Sequence, residues 1–232
     1  MMTAVDKKEK KEKKPALSSF DKDMNKKYGN VFIPVSQIVE KKTEIVPVTP
    51  NLDIALNGGI PEGSWSVFSG APKAGKTTLA LTVAANGQKL FDKKVFYLDV
   101  EGRLKKMNLQ GIPGLMLDPE HFCVIQSTED TILSAENFLN IAQEIIKAYP
   151  RCIIIIDSTS ALCSAHEMEN DITGQTRALG PKILASFCRQ MGTVVPIQQT
   201  MILMIQHLIA NTSGMGPKYM EDSGRKVQYQ KE

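Results

Sequence analysis

The chain has 232 residues, 42% of them hydrophobic, and a formal net charge of +3. That length and apolar content suit one α/β domain or two small ones with a substantial core. No run approaches 18 apolar residues, so no membrane span is expected, and the lysine-rich start, with no apolar stretch behind it, is not a secretory signal.

Residues 1–14 carry six Lys against Asp6, Glu9 and Glu12, so the positive excess is concentrated there and the remainder is close to neutral. With Pro15 and few apolar residues, 1–27 reads as a disordered or loosely helical tail, either a solvated head or a nucleic-acid contact. From Tyr28 onward short apolar runs rich in Val, Ile and Phe recur at 64–70, 94–100, 122–127, 152–158 and 200–207. Their near-continuous apolarity suits strands buried on both faces, as in a parallel sheet.

Helix-length segments lie between these runs. Lys76–Phe91 follows a glycine-rich turn. Asp130–Ala148 places Ile132, Ala135, Leu139, Ala142 and Ile146 on one helical face, with Phe138 and Ile145 beside it, and Thr176–Met191 does the same with Leu179, Ile183, Leu184 and Phe187. Strand and helix in alternation predict a doubly wound, mostly parallel α/β sheet. The four cysteines, Cys123, Cys152, Cys163 and Cys188, show no C-x-x-C spacing and read as buried free thiols of a reducing cytosol.

Gly70-Ala71-Pro72-Lys73-Ala74-Gly75-Lys76-Thr77, followed by Thr78, is G-x-x-x-x-G-K-[ST] between a strand and a helix, the context that identifies a P-loop. Gly70 and Gly75 let backbone N–H groups turn inward, where they and the positive end of the helix hold phosphate oxygens. Lys76 supplies a charge at the β- and γ-phosphates, and Thr77 a hydroxyl to Mg²⁺. Asp157 closes the apolar run "CIIIID", where open α/β sheets place ligand chemistry; it is expected to hold Mg²⁺ through water, with Ser158 assisting. Glu101, just past the end of "VFYLD", is the candidate general base. Asp99 lies nearer the strand body.

These residues together resemble the RecA-type recombinase core. Leu52-Asp53-Ile54-Ala55-Leu56-Asn57-Gly58-Gly59-Ile60-Pro61-Glu62-Gly63 is similar to the family's L-D-x-x-L-x-G-G-[IL]-P-x-G segment before the P-loop. Asp99-Val100-Glu101 matches its D-x-E, and Asp157-Ser158 the "DS" after its Walker B strand. Residues 117–127, "LDPEHFCVIQS", look like the phage-encoded UvsX-type branch. The resemblance covers roughly 45–230.

The resemblance implies ATP and Mg²⁺ as cofactors and DNA-dependent ATP hydrolysis as the reaction. Single-stranded DNA and homologous duplex would be the partners, with self-association into a helical filament, loading by single-strand-binding and mediator proteins, and no membrane. It also implies a cytoplasmic setting, that of a phage product in a bacterial host. A first DNA loop would span Ser164–Thr173 and a second Leu208–Lys226, with Lys218, Arg225 and Lys226 meeting phosphates and Met215 and Tyr219 stacking on or wedging between bases. His207, with Gln206 beside it, would sense the γ-phosphate. Residues 28–45 would pack on a neighbouring protomer, and 46–232 would form the ATPase core.

Three departures stand out. Ser223-Gly224 replaces a Gly-Gly pair, and 102–114 does not match the family's adenine-contact pattern, so no adenine residue is assigned. The family also continues past this point with further strands beside the P-loop strand. The chain therefore reads as a C-terminally truncated or split product whose run "SWSVFS" lies near an open sheet edge. Two other readings remain open: a related hexameric helicase motor, whose glutamate sits in S-x-E-M, and a non-catalytic ATP-binding accessory protein.

Overall fold

The structure, a computed structural model, describes residues 18–170, 179–210 and 219–221. The chain divides into two compact units, Met1–Lys42 and Thr43–Glu232. In the first, α1 (Ser19–Tyr28) begins where Ser18 and Asp21 form a reciprocal cap: the Asp21 N–H donates to Ser18 Oγ (3.2 Å) and the Ser18 N–H to Asp21 Oδ2 (3.0 Å). Residues 19–27 of the stretch read as disordered or loosely helical thus lie in a capped helix, while 1–17 lie outside the described residues. A short α2 (Val35–Val39) follows. Phe20 and Phe32 meet edge to face at 6.0 Å, and Val35, Ile38 and Val39 are exposed.

The second unit opens with β1 (Ile45–Val46), α3 (Pro50–Ala55) and β2 (Ile60–Pro61), the two strands pairing antiparallel. Gly59 sits at φ +135°, and a Cβ there would lie 2.2 Å from the Val46 carbonyl oxygen. The second glycine of the Gly-Gly pair is therefore required by close backbone approach.

The main sheet holds β3 (Trp65–Gly70), β4 (Val95–Asp99), β5 (Phe122–Gln126), β6 (Ile153–Asp157) and β7 (Met201–Ala210) in the order β3-β7-β6-β4-β5, every pairing parallel. A short β8 (Tyr219–Glu221) pairs antiparallel with the end of β7. Among the described strands β3 forms one edge, as expected for the P-loop strand. Helices α4 (Lys76–Phe91), α5 (Lys106–Gln110), α6 (Ala135–Ala148), α7 (Ala165–Glu169), α8 (Gly180–Met191) and α9 (Val194–Gln198) occupy the connections.

Alternation along the central strands divides the core into two layers. Phe96, Leu98, Ile154, Ile156, Ile202 and Met204 face one way, packed with α6 and α8 residues such as Phe138, Ile146, Leu184 and Phe187. Val95, Tyr97, Ile153, Ile155, Leu203 and Ile205 face the other, packed with Leu81, Val83 and Ala84 of α4. The unbroken isoleucine run of β6 is thus buried on both faces.

Two helix starts differ from the periodicity. α6 begins at Ala135 because Ser134 caps it, its Oγ accepting from the Asn137 N–H at 3.3 Å. Ile132, expected on the buried face, precedes that cap and is 71% exposed. α8 begins at Gly180 with Pro181 in its first turn, where the missing N–H costs nothing. Cys152 and Cys188 are buried, but Cys123 is exposed because β5 is the opposite sheet edge.

A polar knot holds the N-terminal ends of β4, β6 and β7. The fully buried Glu62 carboxylate takes Lys93 Nζ at 2.8 Å, Arg151 Nε and Nη2 at 3.2 Å each, and Gln199 Nε2 at 2.7 Å. Burial alone would raise the Glu62 carboxyl, but the Lys93 hydrogen bond and the two cations outweigh it and hold it below its ordinary 4.5. A lowered carboxyl stabilises the fold above its ordinary value and loses that stabilisation as pH falls through the folded one. Glu62→Gln, which leaves the buried Lys93 ammonium with Glu44 (2.8 Å) as its remaining carboxylate partner among the described residues, is expected to cost about 2 kcal/mol near neutral pH. Denaturant unfolding should show that gap narrowing below pH 4.5; a constant gap would mean that Glu62 acts through packing.

Candidate functional site

β3 ends at Gly70 and α4 starts at Lys76, so the glycine-rich turn crosses the C-terminal edge of the sheet in six residues. Gly75 is the N-cap of α4 at φ +83°, a left-handed conformation that favours glycine. Gly70 has no such demand: its φ is ordinary, and a Cβ would make only van der Waals contact with Ala74 Cβ and Lys76 Cδ at 3.6 Å. It contributes its carbonyl. Lys76 Nζ donates to the carbonyl oxygens of Gly70 and Ala71, both at 3.0 Å, and so is folded back over the turn. Pro72 to Thr78 line a cleft of about 410 Å³.

The opposite wall is built by β4, β6 and β7. Register pairs Asp99 with Asp157. Asp157 Oδ2 accepts the Thr77 hydroxyl at 2.7 Å and the Tyr97 phenol at 2.5 Å. Its backbone carbonyl accepts the N–H groups of Val100 (2.8 Å) and Glu101 (3.3 Å), tying the turn after β4 to the end of β6. The Asp157–Ser158 peptide is cis. Asp99 is buried and accepts the N–H groups of Arg103 (3.1 Å) and Leu104 (2.9 Å), which closes the loop that carries Glu101.

Glu101 Oε1 accepts the Ser158 hydroxyl at 2.7 Å and lies 3.0 Å from His207 Nε2. Arg103 pairs with Oε2 at 3.3 Å, but Arg103 is 82% exposed, so that pair contributes little. Partial burial pushes the Glu101 carboxyl up, and the hydrogen bonds from Ser158 and His207, with the charges of His207 and Arg103, bring it below its ordinary range. Asp157 goes the other way. Its burial raises it, only partly offset by the bonds from Tyr97 and Thr77, and the neighbouring Glu101 and Asp99 push in the same upward direction. Burial beside these carboxylates drives the Tyr97 phenol far above its usual value.

Such a site suits a polyphosphate carried with a hard divalent cation. Lys76 and the N-terminus of the 16-residue α4 offer positive charge on one wall. Across the cleft the Thr77 hydroxyl of that same wall meets the Asp157 carboxylate of the other, an all-oxygen donor set of the kind Mg²⁺ takes. A cation there would also relieve the mutual repulsion of Asp99, Glu101 and Asp157.

The structure brings together most of the sequence-predicted residues: Lys76, Thr77, Thr78, Glu101, Asp157 and His207 all line the cleft. Gln206 does not join them. It is fully buried one position along β7, on the face of Met204 rather than of Ile205 and His207. Ser164, expected to open the first DNA loop, instead caps α7 through a reciprocal pair with Glu167; 171–173 lie outside the described residues. Leu208, expected to open the second, continues β7, which pairs through Ala210 with Tyr219 of β8. Tyr219 is 54% exposed, whereas Met215, Lys218, Arg225 and Lys226 lie outside the described residues. Sequence reasoning missed Tyr97, Arg103 and Asn108 in the cleft. Tyr97 has the same strand parity as Asp157, but only the β4–β6 adjacency makes that parity meaningful.

The chain matches the RecA N-terminal domain over residues 14–220. It is 30% identical over 178 residues to Protein RecA of Mycoplasma genitalium, covering 73% of this chain and 48% of that one. It is 29% identical over 210 residues to Protein RecA of Xanthomonas campestris (88% and 58%), and 28% identical over 200 residues to Protein RecA of Aquifex aeolicus (85% and 55%). The chain spans about half the length of these curated relatives.

Asp99→Ala removes the acceptor of two backbone N–H groups, a loss of about 1–3 kcal/mol. Amide hydrogen exchange at Arg103 and Leu104 should accelerate ahead of the rest of the sheet. Unchanged exchange at those two amides would mean that the loop is held by something else.

Proposed function

This chain belongs to the RecA family, and from that membership and the cleft we propose that it is an ATP-dependent, single-stranded-DNA-binding recombinase. In this reading it hydrolyses ATP in a DNA-dependent manner and pairs homologous strands. The observation that carries the reading is that Lys76 and Thr77 of α4, Asp157 at the end of β6, Glu101 just past β4 and His207 of β7 meet in one cleft.

Lys76 leaves the Gly70 and Ala71 carbonyls for the β- and γ-phosphates, whose oxygens also meet the N-terminus of α4. Thr77 would hold Mg²⁺ directly and Asp157 through water, and the metal would supply charge neutralisation to the polyphosphate. Glu101 orients the attacking water and accepts its proton. Its lowered carboxyl is ionised at neutral pH, and the bonds from Ser158 and His207 fix its direction.

His207 is the mechanical link. It faces Glu101 from β7, and three residues later the same strand pairs with Tyr219 of β8. A shift of His207 on γ-phosphate release would travel along a hydrogen-bonded strand into the β7–β8 arm. Lys218, Tyr219, Arg225, Lys226 and Met215 are the proposed DNA contacts, and of these Tyr219 lies on β8. Nucleotide then switches DNA affinity by binding one state of the arm better than the other. The exposed Val35, Ile38 and Val39 of α2 support self-association into a filament, since exposed apolar residues on one short helix often mark a contact surface. Residues 117–127 support a place in the phage UvsX-type branch, acting in a host cytoplasm alongside single-strand-binding and mediator proteins.

The test is ATP hydrolysis by this chain with and without single-stranded DNA, at low and high salt. Stimulation that weakens as salt rises is expected, because phosphate contacts release counterions. Lys76→Ala should abolish turnover, and Glu101→Ala should slow it while leaving ATP binding intact. Turnover indifferent to DNA at every salt concentration would sink the recombinase reading, and turnover unchanged by Lys76→Ala would sink the nucleotide site.

A further inference from the structure

We propose that Tyr97 is a positioning residue for the metal site: its phenol locks the Asp157 carboxylate so that Thr77 can release it and turn to a cation without the acid losing its aim. This inference rests on the Mg²⁺-nucleotide reading above.

The geometry is specific. Tyr97 and Asp157 lie on the same face of adjacent parallel strands, two positions apart in register, since Asp99 is the residue opposite Asp157. Tyr97 is 1% exposed, and its ring stacks on Phe122 at 6.3 Å, so the hydroxyl has no freedom to wander. A phenylalanine would fill this apolar layer equally well. The hydroxyl is the added element, and buried hydroxyls need a partner. Its partner is Asp157 Oδ2, at 2.5 Å.

Thr77 bonds that same oxygen at 2.7 Å. Among the described residues nothing hydrogen-bonds the other carboxylate oxygen, Oδ1. The two hydroxyls are not equivalent. Thr77 sits in the first turn of α4, at the phosphate turn, and has a second task at the metal. Tyr97 sits in the middle of β4 and has none. If Thr77 turned its oxygen to a cation, Tyr97 would keep Oδ2 anchored and so hold the orientation of the whole carboxylate. Outer-shell partners of this kind orient metal ligands and tune affinity.

The experiment titrates Mg²⁺ against a fluorescent, non-hydrolysable ATP analogue for the unmodified chain, Tyr97→Phe, Asp157→Asn and the double variant. Circular dichroism and a thermal melt confirm the fold of each. Tyr97→Phe should raise the Mg²⁺ concentration for half-maximal binding about tenfold, the lower end for loss of an outer-shell partner. Nucleotide affinity at saturating Mg²⁺ should stay within about twofold, and in the Asp157→Asn background Tyr97→Phe should add no further shift. A folded Tyr97→Phe with an unchanged Mg²⁺ midpoint overturns the assignment, as does an equal shift with and without Asp157. An unmodified chain that binds the analogue without regard to Mg²⁺ overturns the parent reading instead, and this one with it.

Discussion

The pairing of β4 with β6 is the constraint on which the rest of the site depends. It sets Asp99 opposite Asp157 and brings the Asp157 carbonyl to the N–H groups of Val100 and Glu101. It also puts the Tyr97 phenol on the Asp157 carboxylate. These strands are far apart in sequence and meet only because the crossovers carry the chain out to β5 and back. A one-residue slip would turn Tyr97 and Asp157 to opposite faces and leave a buried carboxylate with Thr77 alone. The isoleucines of β6, buried on both sides, make such a slip costly, because the flanking layers have different shapes.

Polar organisation is divided between the two ends of the sheet. At the N-terminal end Glu62 and Glu44 pair with Lys93 and Arg151, two carboxylates against two cations, and Gln199 donates to Glu62, so that the knot is charge-balanced around the buried Glu62 and Lys93. At the C-terminal end three carboxylates stand together with Lys76 folded away onto its own turn. The first arrangement is satisfied by the chain itself. The second leaves negative charge concentrated beside a helix N-terminus and a lysine, an imbalance that a cation bound with an anion removes. Structure and stability thus reside at one end, and the proposed ligand chemistry at the other.

The unbroken run of β7 from the core to Ala210 joins that chemistry to the outside of the sheet. Met201 to Ile205 are buried between neighbouring strands, His207 reaches the cleft, and the last residues pair with β8. A strand buried at one end and paired with β8 at the other suits transmission between two sites, since its hydrogen bonds tie both ends to neighbouring strands.

Much of this was legible from the residues alone. The five apolar runs became the five parallel strands, and Lys76–Phe91 became α4 within the same bounds, because the glycine turn and the 3.6 period are local signals. The P-loop, Asp157 and Glu101 were likewise visible, since each sits at the end of a strand or turn that its own neighbours specify. Ile132 was misjudged because Ser134 caps α6 after it and a cap overrides periodicity. Gln206 and His207 were indistinguishable as neighbours until strand parity sent one into the core and the other into the cleft. Tyr97 read as an ordinary buried aromatic, and the grip of Ser158 and His207 on Glu101 was invisible. Sequence by itself determined which elements form and which residue types stand at their ends, because those depend on spacing along the chain. Only the tertiary structure decided which ends meet, because sheet order and register are set by long-range packing of faces that no local pattern records.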